Sequence, residues 1–366
     1  MDSRCLGSNK RVRRPVNRLL CFFTLLSFGC GDIELPQVDL PGIPKKEAPV
    51  VQDQPSTETP TPSTSPTAPA MTPAPTKTPE QIIAELLARP SMNLTDADLK
   101  TLSELPAARD TITELNLSAS TISGTGLKAL QDFPGLTKLN LQAFTLSDGD
   151  WSPLGNLKSL KELNLSRSGI SNLTMTSLSP LKQLTVLDLS ETSVTDEGLA
   201  ALKEFSSLEQ LRIGGTQMSG AGLEFLGTKG ARAPLKVLSA SNTSLGYQGF
   251  VHINQFPTLE ELHVAGSSVT NSSMTGLKGL NNLRIVQLSG NLVSDEGLKS
   301  LTASRTLEEL TLAENRPISD ACVVRLKTFR QLKYVDLDGT SCTLKGVEAL
   351  KKALPECKVR LDQQVY

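Results

Sequence analysis

"VTDEGL", residues Val194–Leu199, returns 99 positions later as "VSDEGL", Val293–Leu298. Upstream of each copy sits a triplet that is apolar at both ends, "LDL" at Leu187 and "VQL" at Val286. Nine more triplets of this design begin at Leu115, Leu139, Leu163, Leu211, Leu238, Leu262, Leu310, Val335 and Val359. Successive triplets start 24 residues apart, except for one step of 25 and one of 27, the latter carrying "GTKGARAP" at Gly227–Pro234. The two hexapeptides are thus one station of a repeat, four units apart. A fixed period of this length marks a stack of small units, none of which can bury its apolar face alone.

The unit reads L-x-x-L-x-L-x-x-[ST]-x-V-[ST]-D-x-G-L-x-x-L-x-x-[FL]-x-x-L. Its triplet alternates apolar and polar, the period of a strand with one buried face. Three residues after the triplet come Thr192, Thr216, Thr340, Asn291 and Asn315. Their short polar side chains can bond backbone groups that a tight turn leaves unpaired. Thr195 and Ser294 are predicted helix N-caps, with Asp196 and Glu197 in the first turn, where negative charge meets the positive end of the helix dipole. Leu199, Leu202 and Phe205 recur every three residues and mark the inward stripe of a short helix. Each unit is therefore strand, turn, helix, turn, and stacking predicts a curved α/β solenoid with a parallel sheet on its concave face.

Departures from the unit carry their own expectations. Phe144 replaces the polar turn residue. "SNLTMTSL" (Ser171–Leu178), "LGYQGFVHI" (Leu245–Ile253) and "VTNSSMTGL" (Val269–Leu277) lack Asp-x-Gly, which predicts looser helix starts. "LTDADLKTL" (Leu94–Leu102) reads as a worn first repeat. Before it, Thr78 as N-cap, Pro79 at the first helical position and Gln81 three after the cap predict a helix over Pro79–Ala88 that covers the N-terminal end of the stack. Residues 79–105 are then cap and degenerate repeat, and 106–366 the repeat domain. At the other end only Lys358, Arg360 and Asp362 are expected to discourage edge pairing.

From about Leu94 to Leu361 the chain strongly resembles the leucine-rich repeat family, and its T-x-V-[ST]-D-x-G-L variant resembles the ribonuclease-inhibitor-like and cysteine-containing subclasses. The resemblance implies a horseshoe that binds through its concave face. It says little of the ligand, because the family is defined by its scaffold.

Residues 1–29 differ. Arg4, Lys10, Arg11, Arg13, Arg14 and Arg18 precede the apolar "LLCFFTLLSF" (Leu19–Phe28), the pattern of a secretory signal. That run is shorter than the roughly 20 residues that span a bilayer. "LLSFGCGD" resembles the lipobox of bacterial lipoproteins, with Ser27 where the usual motif has Leu, and the resemblance implies lipidation of Cys30. Six basic residues against Asp2 give this segment +5; as the whole chain is −1, the remainder is about −6. An acidic mature chain argues against a nucleic-acid partner. Residues 30–78 read as a tether, since twelve of the 22 prolines lie between Pro36 and Pro79 among Thr and Ser.

Candidate sites are few. No phosphate loop, zinc motif or nucleophile elbow appears, so neither catalysis, cofactor nor metal is expected. Cys342 falls on the inward valine station; a pairing with Cys357 stays open beside a buried thiol. Trp151 is expected to pack inward. The middle row of the concave face includes Asn116, Asn140, Asn164, Asp188, Arg212, His263, Gln287, Asp336 and Arg360, with Glu309, Tyr334 and Asp338 in adjoining rows. A polar, mildly acidic groove is expected toward the C-terminal half, around Arg212, His263, Tyr334 and Asp336. The reading that results is a monomeric, non-catalytic module that binds a protein or a cell-surface polymer. It would be held by an N-terminal lipid at the bacterial envelope, at the outer rather than the inner membrane. An envelope scaffold without a dedicated ligand and a secreted effector's specificity domain are the alternatives.

Overall fold

Each of the eleven triplets begins within a strand of one open sheet, one residue after the strand starts: β1 (Glu114–Asn116), β2 (Lys138–Asn140), β3 (Glu162–Asn164), β4 (Val186–Asp188), β5 (Gln210–Arg212), β8 (Val237–Ser239), β9 (Glu261–His263), β10 (Ile285–Gln287), β11 (Glu309–Thr311), β12 (Tyr334–Asp336) and β13 (Lys358–Leu361). All pair in parallel with the same station of the next coil, as in Leu187 opposite Leu211. The long coil puts its three extra residues into a small antiparallel hairpin, β6 (Gly227–Thr228) with β7 (Ala231–Arg232), outside the main sheet. The computed structural model describes residues 77–146, 149–228 and 231–366. The expected signal segment 1–29, Cys30 and the expected tether as far as residue 76 lie outside them.

The apolar ends of each triplet form two buried ladders. Leu163, Leu187, Leu211, Leu238 and Leu262, and behind them Leu165, Leu189, Ile213, Ala240 and Val264, are at most 1 % exposed. Burying a leucine side chain from water is worth roughly 1.5–3 kcal/mol, and one is delivered at the same place in every coil. Turn polar residues seal the layer above. Thr192, Thr216 and Thr340 donate to the carbonyl three residues back, at 2.6 Å in each case. Asn315 reaches further: its Nδ2 donates to Leu288 of the preceding coil at 2.8 Å, and its Oδ1 accepts from Val293 N at 2.9 Å. Phe144, at the same station, instead packs edge-to-face on Trp151, with ring centroids 5.8 Å apart; both are buried.

Between triplet and turn residue the backbone turns left-handed in coil after coil. Ala119, Ala143, Arg167, Glu191, Asn242 and Glu314 have φ between 52° and 59°, and Gly215, Gly266, Gly290 and Gly339 occupy the station elsewhere. The turn keeps the sheet's ladder intact: Ala143 N donates to Ser166 O at 2.8 Å and Gly290 N to Ala313 O at 2.8 Å. Only Gly and Asn tolerate this region readily, so the alanines here are strained by the fold.

The convex side corrects two expectations. Asp196 does not serve its own helix alone. Its carboxylate accepts from Ser219 N (2.8 Å), Ser219 Oγ (2.7 Å), Gly220 N (3.0 Å) and Gly222 N (2.8 Å), all at the helix start of the next coil. Asp295 grips Ser319, and Asp320 grips Thr343, in the same way. The coils without Asp-x-Gly are not looser. Asn172 and Asn271 hold Thr195 and Ser294 of the next coil through both amide atoms. Thr174 and Ser273, at the Gly station, close capping boxes on Ser171 and Thr270, and these helices begin as α. Asp196–Leu202 and Gly297–Leu301, which carry the signature, are 3₁₀. Thr195 makes no side-chain cap, because its hydroxyl accepts from Asn172, and Ser294 lies before the helical segment rather than at its cap. "LGYQGFVHI" also forms a regular α-helix, Gly246–Ile253.

Both ends are closed. Helix α1 (Pro79–Ala88) starts with the expected capping box between Thr78 and Gln81. Helix α2 (Asp96–Glu104) follows, and Leu99 and Leu102 are buried beneath the first full coil. The C-terminal edge is not left to charge alone: the chain reverses at Asp362 and Gln363, both at positive φ, and β14 (Gln364–Val365) pairs antiparallel with β13. Short two-residue edge strands are poor templates for further pairing.

Three measurements check this account. Leu187→Ala, which empties a fully buried ladder position, will cost roughly 2–5 kcal/mol in urea unfolding. Ala143→Gly will raise stability by roughly 0.5–1 kcal/mol by relieving the left-handed strain, and Gly290→Ala will lower it. Burial works to raise the Asp196 pKa, but its four donors outweigh that and hold it below the usual carboxylate value. The stability it supplies is therefore complete above the ordinary carboxylate range and lost as pH falls through the depressed value. Asp196→Ala will cost about 1–3 kcal/mol at neutral pH; Asp196→Asn will cost less and will flatten that acid limb.

Candidate functional site

The concave face is built from the outward middle residues of the triplets, one per coil, so the sequence spacing becomes a row at strand separation, about 4.7–4.9 Å. Residues 24 apart in the chain become neighbours. Register places Asp188 beside Arg212, His263 beside Gln287, Glu309 beside Tyr334 and Asp336 beside Arg360.

At the C-terminal end Tyr334, Asp336, Asp338 and Arg360 come together and satisfy one another, whereas Arg212 on β5 and His263 on β9, expected in the same groove, lie strands away. Arg360 lies 3.6 Å from Asp336 and 3.1 Å from Asp338. Asp336 Oδ1 accepts from Asp338 N at 3.0 Å, and Asp338 Oδ1 from Gln363 N at 2.8 Å. Burial, seconded by the Asp336 charge, raises the Tyr334 pKa, against a hydrogen bond to Arg360. His263 faces Glu261 at 3.5 Å. The carboxylates here are already partnered, and a ligand would have to displace Arg360 to reach them.

A recess lies on the other half of the sheet. It holds about 630 Å³ and is lined by strands β1 to β5 and by Leu87, Arg89, Ser91 and Leu94 of the N-terminal cap. Of the residues expected at the site, it includes Asp188 and Arg212. The wall exists because the cap is tied to the sheet face: Ser91 Oγ donates to Ser118 O at 2.7 Å. Its floor carries Asn116, Asn140 and Asn164. Each Oδ1 accepts the amide N–H two residues on, at 3.1, 3.0 and 2.9 Å. This fixes the carboxamides alike and leaves the three Nδ2 groups without partners among the described residues. Lys138 sits between Glu114 (3.1 Å) and Glu162 (3.4 Å), and the hydrogen bond to Glu114, above all, raises its pKa. Arg89 is held by Asp98 at 2.9 Å. Arg212 differs from both, since its nearest hydrogen-bond partner is the neutral Gln210 Oε1 at 3.4 Å. Among the described residues it is the basic group of the recess without a carboxylate partner.

Along the row the arrangement offers three amide N–H donors, then the Asp188 carboxylate, then the Arg212 guanidinium. Sequence reasoning missed the cap residues Arg89 and Ser91, which no linear pattern ties to the sheet. The triple "LNL" was the available signal for the asparagine row, because identical side chains at one station become a physical row only once the coils stack. Cys342 and Cys357, weighed as a pair, are both free thiols with separate surroundings. Cys342 Sγ donates to Asp320 Oδ1 at 3.3 Å, and Cys357 Sγ to Lys358 O at 3.7 Å. Among the described residues no helix is long and apolar enough to cross a membrane.

A family model described as Leucine Rich repeat matches residues 111–130, 182–203 and 279–301. No curated protein matches the chain. Among solved structures, an internalin (inlF) from Listeria monocytogenes is similar with a TM-score of 0.53 at 18% identity, over 77% of this chain and 93% of that one. An internalin C2 (inlC2) from the same organism gives 0.43 at 22% identity, over 71% of this chain and 96% of that one. A TDR receptor gives 0.48 at 17%, over 69% of this chain and 43% of that one. At such identities the likeness concerns the fold. The matched repeats and the eleven-strand parallel ladder agree: the described residues have the fold of a leucine-rich-repeat solenoid.

Proposed function

We propose that the chain is a non-catalytic protein-binding module whose ligand docks in the N-terminal half of the concave face. The observation that carries this reading is the recess under the cap, with three aligned Nδ2 donors and Arg212 lacking a carboxylate partner. Arginine is over-represented among residues that dominate binding energy. A partner segment that presents main-chain or side-chain carbonyls to the asparagine row and a carboxylate to Arg212 fits this chemistry. The C-terminal cluster of Tyr334, Asp336, Asp338 and Arg360 extends the same face but is internally neutralised, and it contributes as rim.

The display reading belongs to the same proposal. The basic-then-apolar N-terminus and "LLSFGCGD" support export and lipidation at Cys30, with the Pro/Thr segment holding the repeats off the bacterial envelope, at the outer membrane. A single acyl chain binds membranes only marginally, so stable retention requires more than one. The charge of the remainder, about −6 from the chain's −1 and the first 29 residues' +5, speaks against nucleic acid as ligand.

Two experiments test the two halves. A photo-crosslinking residue at Asn140 will capture one protein from intact cells, Arg212→Glu will abolish that adduct, and the same probe at Glu224 on the convex side will give none. Equal capture at both positions refutes a concave site. Intact mass of the mature N-terminus, with Cys30→Ala beside it, will show acyl chains on Cys30 that vanish in the variant; an unmodified terminus removes the anchor without touching the binding test.

A further inference from the structure

A second recess, of about 580 Å³, lies off the concave face, on the edge where the chain passes from convex helix to strand. Lys158, Lys182 and Lys203 line it, with Ser179, Pro180, Ala201 and Glu204. Lys158 and Lys182 hold one station of successive coils, two residues before Leu160 and Leu184, and Lys203 belongs to the coil after. Three coils thus deliver one ammonium group each to a single hollow. One wall is fixed: a Cβ added at Gly155 would come within 2.8 Å of Ser177 O and 3.3 Å of Pro180 Cγ, so Pro180 is wedged against the preceding coil. The charges do not cancel. Glu204 is the one acidic lining residue and is bonded to Lys182. Among the described residues no carboxylate lies within ion-pair distance of Lys158 or Lys203. Elsewhere on this edge bases find acids of a neighbouring coil: Lys236 pairs with Glu209 at 2.9 Å, Arg284 with Glu308 at 3.4 Å and Lys333 with Glu308 at 2.8 Å. Lys203 caps the C-terminus of a 3₁₀ helix, where a cation is favourable, but Lys158 and Lys182 lie past the caps of theirs.

We propose that this recess is a second binding site, separate from the concave one, and that it takes a polymer carrying phosphate groups along its length. Successive coils stand about 4.7–4.9 Å apart at the sheet, so ammonium groups from three of them suit a chain running along the stack better than one small anion. Lysine is a compact point charge with rotating donors that imposes no plane on its partner. That suits a tetrahedral phosphate, whereas planar carboxylates are matched by the arginine fork. No lining residue is aromatic, so nothing there stacks a base, and the ligand is a phosphate chain without bases. Residues 30–366 carry about −6 in total, from the chain's −1 and the first 29 residues' +5, and against that background a local excess of positive charge concentrates an anionic ligand. Glu204 competes with the ligand for Lys182.

The test titrates the purified full-length chain into fluorescently labelled linear inorganic polyphosphate and follows anisotropy over a range of salt concentrations. The expected result is saturable binding whose log K falls with log salt. Lys158→Gln and Lys203→Gln will each weaken it and reduce that slope by about one. Glu204→Gln will tighten it by removing the competing carboxylate. Lys327→Gln, at the station of Lys203 five coils on and outside the recess, and Arg212→Glu on the concave face will leave it unchanged. Lys158, Lys203, Glu204 and Lys327 are exposed, so these variants keep the fold. Absence of polyphosphate binding, or binding that Lys158→Gln and Lys203→Gln leave intact, overturns the proposal. An equal loss with Lys327→Gln does so too, since it means diffuse attraction to the edge. So does binding to phosphatidylglycerol vesicles without binding to polyphosphate, which assigns the edge to a membrane, or tighter binding of a single-stranded oligonucleotide of equal charge.

Discussion

Everything in this molecule hangs on the bond between a coil and the next. A 24-residue unit has one apolar stripe from its strand and another from its helix, and no second layer of its own to cover either. The coil becomes stable only when the next one lies against it in register, so that each inward leucine meets the leucine of its neighbour and each strand finds its ladder partners. The strands are only three residues long, yet the hydrogen bonding runs on past them. The left-handed residue that follows donates to the next coil as well, as Ala143 does to Ser166 O. The fold accepts alanine, arginine and glutamate in that conformation because the alternative is a break in the ladder at every coil.

The convex side solves the same problem with different chemistry. A helix start presents amide N–H groups that its own coil does not fully satisfy. Here the preceding coil supplies the acceptor, as an aspartate (Asp196, Asp295, Asp320) or an asparagine (Asn172, Asn271). A side chain that an isolated helix would use for its own dipole has become a clip between units. It also explains why Asn replaces Asp without loosening the stack: a carboxamide can accept from the N–H and donate to the hydroxyl at once.

Rigidity of this kind is what makes the concave face usable. The asparagine row is fixed because each Oδ1 is consumed by its own turn, which aims the Nδ2 group outward without a further ordering cost on binding. Where opposite charges meet on the same face, at Arg360 with Asp336 and Asp338, they neutralise one another. The cap decides which half is recessed, because Ser91 draws it down on Ser118.

By itself the sequence determined the period, the eleven strands, the inward ladders, the polar turn residues and the capped first helix. Each of these is a local pattern repeated, and repetition turns weak local signals into a strong one. Only the tertiary structure decided what happens between units: that Asp196 serves the next coil, that the Cys342 thiol turns to Asp320 of the preceding coil rather than to Cys357, that the C-terminal strand folds back to cover its edge, and that the recess sits under the N-terminal cap. The physical reason is common to all four. Contacts between coils join residues some twenty or more positions apart or depend on a turn that reverses the chain, and a side chain's nearest partner across a coil boundary is set by stacking geometry, which no single unit contains.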